Sequence, residues 1–256
     1  MAFAGSLDGN GKTIDGLNVN VISGNAGLFD SASGGTFKDL KLNGTVNGTF
    51  YTGGLIGGGS GVTLDNIEAN VTVSGGSYTG GLVGRLLGTL PATAERTPDI
   101  SNCTVHGSVI GRRYVGGIAT SSADNSPKIE NCHNYASITS TGTGGNNASA
   151  AGIWACNTYN AGGKFTSCTN NGAVTAQKYA AGIATAGTSV IGCVNSNAVV
   201  SNNGLAGGIS NHAFTVERCG NVGSITGCKS PSEETGVAGI DNYGQNVLYC
   251  YNTGVV

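Results

Sequence analysis

A short phrase of one small residue, one glycine and one Leu or Ile recurs eight times along the chain. Its copies are Ala26-Gly27-Leu28, Gly53-Gly54-Leu55, Gly80-Gly81-Leu82, Gly116-Gly117-Ile118, Ala151-Gly152-Ile153, Ala181-Gly182-Ile183, Gly207-Gly208-Ile209 and Ala238-Gly239-Ile240. Successive second glycines lie 27, 27, 36, 35, 30, 26 and 31 residues apart. Self-similarity at such a period belongs to solenoids, propellers or arrays. The repeat also gives the composition its meaning. With 46 glycines in 256 residues and only 10% charged residues, the chain would otherwise fit low-complexity disorder. Glycines in phase instead mark one structural site per repeat.

A second phrase runs in phase with the first. Its anchors are Leu40, Ile67, Cys103, Cys132, Cys168, Cys193, Cys219 and Cys250. Three residues before each stands Phe, Leu, Ile or Val, and six residues after each stands Val or Ile, from Val46 to Val256. These segments are short, β-branched and bounded by Gly, Asn, Ser and Thr, which is the chemistry of strands and turns. No stretch sustains an apolar period of 3.6, so few or no helices are expected. About three short strands per repeat fit one rung of a right-handed parallel β-helix of about 8–9 rungs, stacked ~4.8 Å apart. The expected layout is a single all-β repeat domain over residues 1–256, with a first rung at 3–35 and loop inserts near 85–99, 141–163 and 229–235.

Gly54, Gly81, Gly117, Gly152, Gly182, Gly208 and Gly239 fill the second place of the phrase without exception. The first place accepts Ala, so it needs smallness, whereas the invariant second place points to special backbone dihedrals. The pattern hydrophobic-x-Asn-Cys-x-Asn-x-Gly-x-Val, followed by Gly-Gly-Leu/Ile-x-Gly, resembles the GLUG-motif repeat. The resemblance covers nearly the whole chain, and Leu7–Ile14 looks like the first turn that such β-helices carry. It implies a β-helix on an exported bacterial protein of adhesin-like or IgA-peptidase type, at the extracellular cell surface, and no catalytic residues. The later copies depart from it where the final Gly becomes Thr120, Ala155, Thr185, Asn211 and Asn242, which is expected to alter a turn and leave the fold intact.

Three columns carry the remaining information. Cys103, Cys132, Cys168, Cys193, Cys219 and Cys250 fall in consecutive rungs. Parallel side chains at the rung spacing do not meet disulfide geometry, and a straight thiol column offers no tetrahedral metal site, so a buried free-thiol column is expected, with no metal and no cofactor. Cys156 and Cys228 lie off that column and pair only if the inserts fold onto one another. Asn134, Asn170, Asn195, Asn221 and Asn252 form a second column whose amides can bond along the stack. Tyr51, Tyr78, Tyr114 and Tyr179 form a third. Strand parity places them on the same face as the inward Leu/Ile, as a core stack, while an outward stripe would suit sugar rings.

Catalytic chemistry finds little support. Glu130 and Glu217 share a column three rungs apart, roughly 14 Å at the rung spacing and beyond the ~5–9.5 Å of glycosidase pairs. Lys38 and Asp65 read as a surface ion pair across adjacent rungs. Arg112, Arg113 and Lys178 form a small basic spot, and Trp154 sits beside an insert. With Tyr51, Tyr78, Tyr114 and Tyr179, the residues Arg112, Arg113 and Trp154 are the candidates for contact with a partner. A net charge of −2 disfavours nucleic acid, and no apolar run matches a membrane span. The chain stops at Val256 before the next Gly-Gly phrase, as a segment of a longer protein with further domains would. The reading is a non-catalytic adhesion, binding or spacer segment with a host or microbial glycan or surface protein as partner. The alternative is a carbohydrate-active β-helix enzyme.

Overall fold

A computed structural model describes residues 2–87, 99–121, 127–143, 148–156, 162–228 and 236–256. Of the expected inserts, 229–235 lies wholly outside them, 85–99 largely, and 141–163 at residues 144–147 and 157–161. Among the described residues there is no helix. The chain winds into a parallel β-solenoid of about eight turns. Each full turn begins with a three-residue strand such as Tyr51–Gly53, bends at the Gly-Gly-Leu phrase, and continues as Ile56–Ser60 and then Thr63–Ser74 before the next turn starts at Tyr78–Gly80. Every pairing between turns is parallel and joins equivalent positions: Tyr51 to Tyr78, Ile56 to Val83, Leu64 to Ile100 and Val73 to Val109. The short strands form a seven-stranded sheet of their own, and the remaining strands build one long sheet along the rod.

Inward columns fill the interior. Phe37, Leu64, Ile100, Ile129, Phe165, Val190 and Val216 make one, all fully buried. Val46, Val73, Val109, Ile138, Val174, Val199 and Ile225 make another. Burial of this kind contributes about 25 cal/mol per Å² of apolar surface. The N-terminal end is closed by a cluster of Phe3, Phe29 and Phe37, with ring centroids 4.8–5.2 Å apart. The last described turn is open by comparison. Val247 continues the Phe37 column but is 46% exposed, where Val216 one turn earlier is 0%.

The invariant second glycine has a cause other than the one expected. None of Gly54, Gly81, Gly117, Gly152, Gly182, Gly208 and Gly239 has a positive φ. What excludes a side chain is space. A Cβ on Gly152 would lie 2.2 Å from the Gly182 carbonyl oxygen and 2.3 Å from Asn170 Cγ; on Gly208 it would lie 2.0 Å from the Gly239 oxygen and 2.7 Å from Asn221 Cγ. The left-handed backbone sits elsewhere, at the residue just before each anchor. Asp39, Asn66, Asn102, Asn131, Ser167, Gly192, Arg218 and Tyr249 all have φ of 51–62°. Asn and Asp tolerate that region best among side-chain-bearing residues. They also bond along the outside of the rod: Asn66 Nδ2 donates to Asp39 Oδ1 (2.6 Å), and Asn131 Nδ2 donates to Asn102 Oδ1 (2.7 Å).

This bend gives the later cysteines a role, although Leu40 and Ile67 follow the same bend without a thiol. The anchor that follows it turns its backbone N–H away from the regular ladder, and a thiol receives that N–H. Cys168 N, Cys193 N and Cys219 N donate to the Sγ of Cys193, Cys219 and Cys250 at 3.3–3.4 Å. Each of these thiols faces the carbonyl two residues upstream, as Cys193 Sγ does Ile191 O at 3.5 Å. All eight cysteines are free, with Cys156 buried and Cys228 exposed, so these two do not pair. Burial pushes the Cys132 and Cys193 thiols well above their ordinary range, which keeps them protonated. The expected ion pair of Lys38 with Asp65 is replaced: Lys38 Nζ lies 2.8 Å from Asp8, and Asp65 accepts from Ser101 and Asn102 instead.

Two outcomes are expected from this packing. Gly208→Ala and Gly207→Ala must both displace backbone, the first against the Gly239 carbonyl oxygen and the second against that of Ser210, each 2.0 Å from the added Cβ, and each should cost about 3 kcal/mol or more, at the upper end of overpacking penalties; chemical denaturation of the two variants beside the parent chain measures this. In the last turns Asp241 continues the inward column of Ser210, and burial raises its carboxyl to about 6, against opposing bonds from the N–H groups of Ala213, Asn242 and Tyr243. A folded-state value above the unfolded one means that ionisation opposes folding. Local stability should therefore be highest below about pH 4 and fall by up to about 3 kcal/mol as pH rises through 6. Amide hydrogen exchange at Ala213 and Tyr243, corrected for intrinsic rates, reads this out, and Asp241→Asn should flatten the profile.

Candidate functional site

Three neighbouring residues at each corner, such as Gly54, Leu55 and Ile56, all turn inward, because the chain bends sharply there. Leu55 and Ile56 are both in the core, as are Leu82 and Val83, Ile118 and Ala119, and Ile153 and Trp154. Seen from outside, the corner is a re-entrant groove between the short sheet and the strand that follows it. Alternation resets at the bend, so the parity argument that sends the tyrosines inward does not hold. In each short strand the middle residue points in: Thr52, Thr79, Val115, Ala150, Ala180 and Ala206 are buried, and the last four join the main core. The tyrosines line the outer groove. Tyr114 is buried in a separate small cluster with Ala151, Ala155 and Ala181, against which Tyr78 packs.

The tyrosines touch one another along the rod axis, with Tyr51 and Tyr78 centroids 5.4 Å apart and Tyr78 and Tyr114 5.0 Å apart. The opposite wall comes from the second residue after the inward one. There Arg85 donates from Nη1 to the Tyr51 hydroxyl at 2.6 Å and lies over the rings of Tyr51 (4.9 Å) and Tyr78 (5.7 Å). Further along, His212 stands edge-on to Tyr179 (6.4 Å) and stacks on Tyr243 (4.7 Å), and Lys178 Nζ lies 5.5 Å over Tyr179. Burial raises the Tyr78 hydroxyl above its usual value, and the positive field of Arg85 and Arg113 opposes that rise.

The floor of the groove is set by the last residue of the phrase. Gly57 and Gly84 leave it bare. In later turns Thr120, Ala155, Thr185, Asn211 and Asn242 stand there. Thr120 Oγ1 donates to the Gly84 carbonyl, Asn211 Nδ2 to Ala180 O (2.9 Å), and Asn242 Nδ2 to Asn211 Oδ1 (2.8 Å). In the early turns neighbouring backbone fills that place, since a Cβ on Gly57 would lie 2.6 Å from Asp30 O and one on Gly84 2.4 Å from Thr52 N, and in the later turns side chains line it. A cavity of about 250 Å³ lies at its open end, lined by Asn25, Ser31, Tyr51, Gly58, Ser60 and Arg85 among others.

The other candidates separate. Arg112 and Arg113 are exposed at the turn before Tyr114; their carbonyls accept the Ser140 hydroxyl, and Arg113 O also accepts Ser149 N. Trp154 is not at the surface. It is fully buried, paired with Ala119 and Ala184 in the adjacent turns, and its Nε1 has no hydrogen-bond partner. The column of small, large, small side chains makes room for it. Arg85 was missed because it stands in an otherwise uneven column of Ser31, Gly58, Ser121 and Cys156; the register that sets it beside Tyr51 appears only when the corner bends. Glu130 and Glu217 share a column through Thr166 and Ile191, three turns apart. Among the described residues no three His, Cys, Asp or Glu side chains gather as a metal site would require.

The asparagine column is continuous inside the rod. Asn134, Asn170, Asn195 and Asn221 each donate from Nδ2 to Oδ1 of the next, ending on Asn252, at 2.6–2.8 Å. Each amide also donates to the carbonyl two residues on, at 2.8–3.0 Å. Both groups are columns of stacking, not of ligand contact. For the thiols a simple titration follows. The native protein should react rapidly at Cys228 and more slowly at half-buried Cys250, and denaturation without reductant should reveal all eight.

A family model described as the GLUG motif matches residues 75–110, one turn of the solenoid with its Gly-Gly-Leu corner. No curated protein matches the chain significantly. Among solved structures, the chain is similar to a protein from Bacteroides ovatus described as a putative immunoglobulin A1 protease, with 15% identity, a TM-score of 0.54, and coverage of 95% of this chain and 69% of that one. At that identity the likeness concerns the fold. The chain is a parallel β-solenoid that carries the GLUG motif.

Proposed function

We propose that this chain is a non-catalytic repeat segment of an exported bacterial cell-surface protein and that it binds a partner, a glycan or another surface protein, along its outer corner groove. The observation that carries the reading is the division of labour among columns. The inward positions are consumed by apolar, thiol and amide stacking, while the groove sets the half-buried rings of Tyr51 and Tyr78 beside Arg85 in adjacent turns and, further along, His212 on the exposed ring of Tyr243. Aromatic faces next to cationic donors are the chemistry of recognition, and glycoside hydrolysis would need a close acid pair. Export and a surface location rest on the resemblance of the repeat. The Bacteroides ovatus protein is described as a putative protease; that description concerns the other protein, and no proteolytic role is proposed here.

The test is an array of glycans and surface proteins probed with the whole chain, followed by incubation of every ligand found. Retention of at least one ligand without new reducing ends or peptide fragments is expected. Cleavage of a bound oligosaccharide would replace this reading with the carbohydrate-active one. A blank array would leave only a passive spacer.

A further inference from the structure

We infer that the outer face of the strands that follow the anchors holds a second binding trough, whose chemistry fits an uncharged, β-linked glycan chain. It lies on a different face from the corner groove and uses none of the groove's residues. Two outward columns flank the asparagine column there. One residue after the anchor run His133, Thr169, Val194 and Gly220, each paired in register with the next. Three residues after the anchor run Tyr135, Asn171, Ser196 and Val222, each with its N–H bonded to a carbonyl of the turn before.

Large rings rise at two places on this face, and small side chains lie between them. Tyr135 is 50% exposed, and its ring stacks on His106 of the turn before, with centroids 4.9 Å and planes 8° apart. Stacking between turns sets the ring across the rod axis, so its other face looks along the axis toward the turn of Asn171. At the far end the half-exposed Tyr251 folds back over Gly220, where a Cβ would lie 2.1 Å from Tyr251 Cζ. From the turn of Tyr135 to that of Gly220 is three rungs, about 14 Å at the rung spacing, a length that takes a disaccharide laid along the axis.

The floor of the two turns between is Thr169, Asn171, Val194 and Ser196. The Thr169 hydroxyl lies 2.8 Å from His133 Nδ1 and 3.4 Å from Asn171 Nδ2, so the amide leans sideways onto Thr169 and away from the open face of Tyr135. A ring face beside fixed neutral polar groups suits a pyranose, which sets its C–H face on the ring and its hydroxyls on the donors and acceptors. Charge narrows the class. From the turn of Cys103 onward neither column carries Asp, Glu, Lys or Arg. Two turns before Tyr135, Glu68 is paired with Lys41 at 2.7 Å, and Arg218, on the bend beside Gly220, is bonded to Glu217. A charged ligand finds no partner on this surface. A chain with equatorial β-linkages runs straight and presents flat ring faces, as a straight trough requires.

Calorimetric titration of the whole chain with cellohexaose and with chitohexaose tests the assignment, beside oligogalacturonate as the charged comparison and maltohexaose as the curved one. At least one of the first two should bind, equally at low and high salt and at least about tenfold more tightly than either comparison. Tyr135→Ala should weaken binding about tenfold, the scale of one aromatic contact. Ser196→Ile, which fills the floor with a side chain of the kind that Val222 places in the same column, should weaken it at least as much with the melting temperature unchanged. Failure of both sugars to bind, a comparison sugar bound as tightly, affinity that falls with salt, or binding unchanged in either variant would overturn the trough. Array ligands kept by both variants would leave the corner groove standing even where the trough fails.

Discussion

The solenoid depends on one steric constraint, the contact between successive corners at the second glycine of the phrase. There the carbonyl of one turn occupies the place where a side chain of the previous turn would be. Gly117, Gly152, Gly182 and Gly208 each face a glycine carbonyl on the next turn and an asparagine amide from across the interior. Because the corner comes so close, the chain can fold back sharply. The same bend aims two consecutive side chains, such as Leu55 and Ile56, into the core and leaves a groove outside. Core, amide column and groove are consequences of one missing Cβ. No conformational freedom of glycine is used there; in this respect the phrase differs from the bend before each anchor, where the left-handed backbone sits and where Asn or Asp suffices in four of the turns.

The two halves of the rod solve the same packing problem differently. In the early turns the anchors are Leu40 and Ile67, and the amide column is held by Leu42, Ala69 and Val105, so the interior is hydrocarbon. From Cys103 onward thiols take the anchor and from Asn134 onward amides take the other column. The thiols of Cys193, Cys219 and Cys250 each supply a weak acceptor for the backbone N–H of the anchor one turn earlier, and each amide joins a chain of bonds worth about 1 kcal/mol apiece. The groove changes in parallel. Its floor is glycine at Gly57 and Gly84, and Thr, Ala or Asn afterwards.

Much of this was legible in the residues. Periodic glycines and anchors specify turn length, strand chemistry and stacking, because each rung repeats the environment of the one before. What escaped were features that depend on the path of the chain between rungs. The direction of Tyr51 and its equivalents follows from a bend that resets alternation, and no count of residues reveals where that reset falls. Trp154 borders a stretch outside the repeat and reads as a surface residue, yet its neighbours in the stack, Ala119 and Ala184, are small enough to admit it. Arg85 has no equivalent in its column. The Asn before the early Cys anchors was visible as part of the repeated pattern; its role at positive φ was not, since Ser167, Arg218 and Tyr249 adopt the same backbone without any shared chemistry.

The amide column has a property that belongs to the rod as a whole. Every link from Asn134 to Asn252 runs the same way, with the nitrogen of one turn donating to the oxygen of the next. The side-chain dipoles therefore add instead of cancelling, as strand dipoles do in ordinary sheets. Their sum is an internal electrical axis with its positive pole toward Asn252, strengthened as each bond polarises its neighbour. The two ends of the solenoid are electrostatically unlike. A turn added beyond Asn252 would meet a polarised amide that favours an acceptor in register, so the column carries alignment information to whatever is stacked upon it.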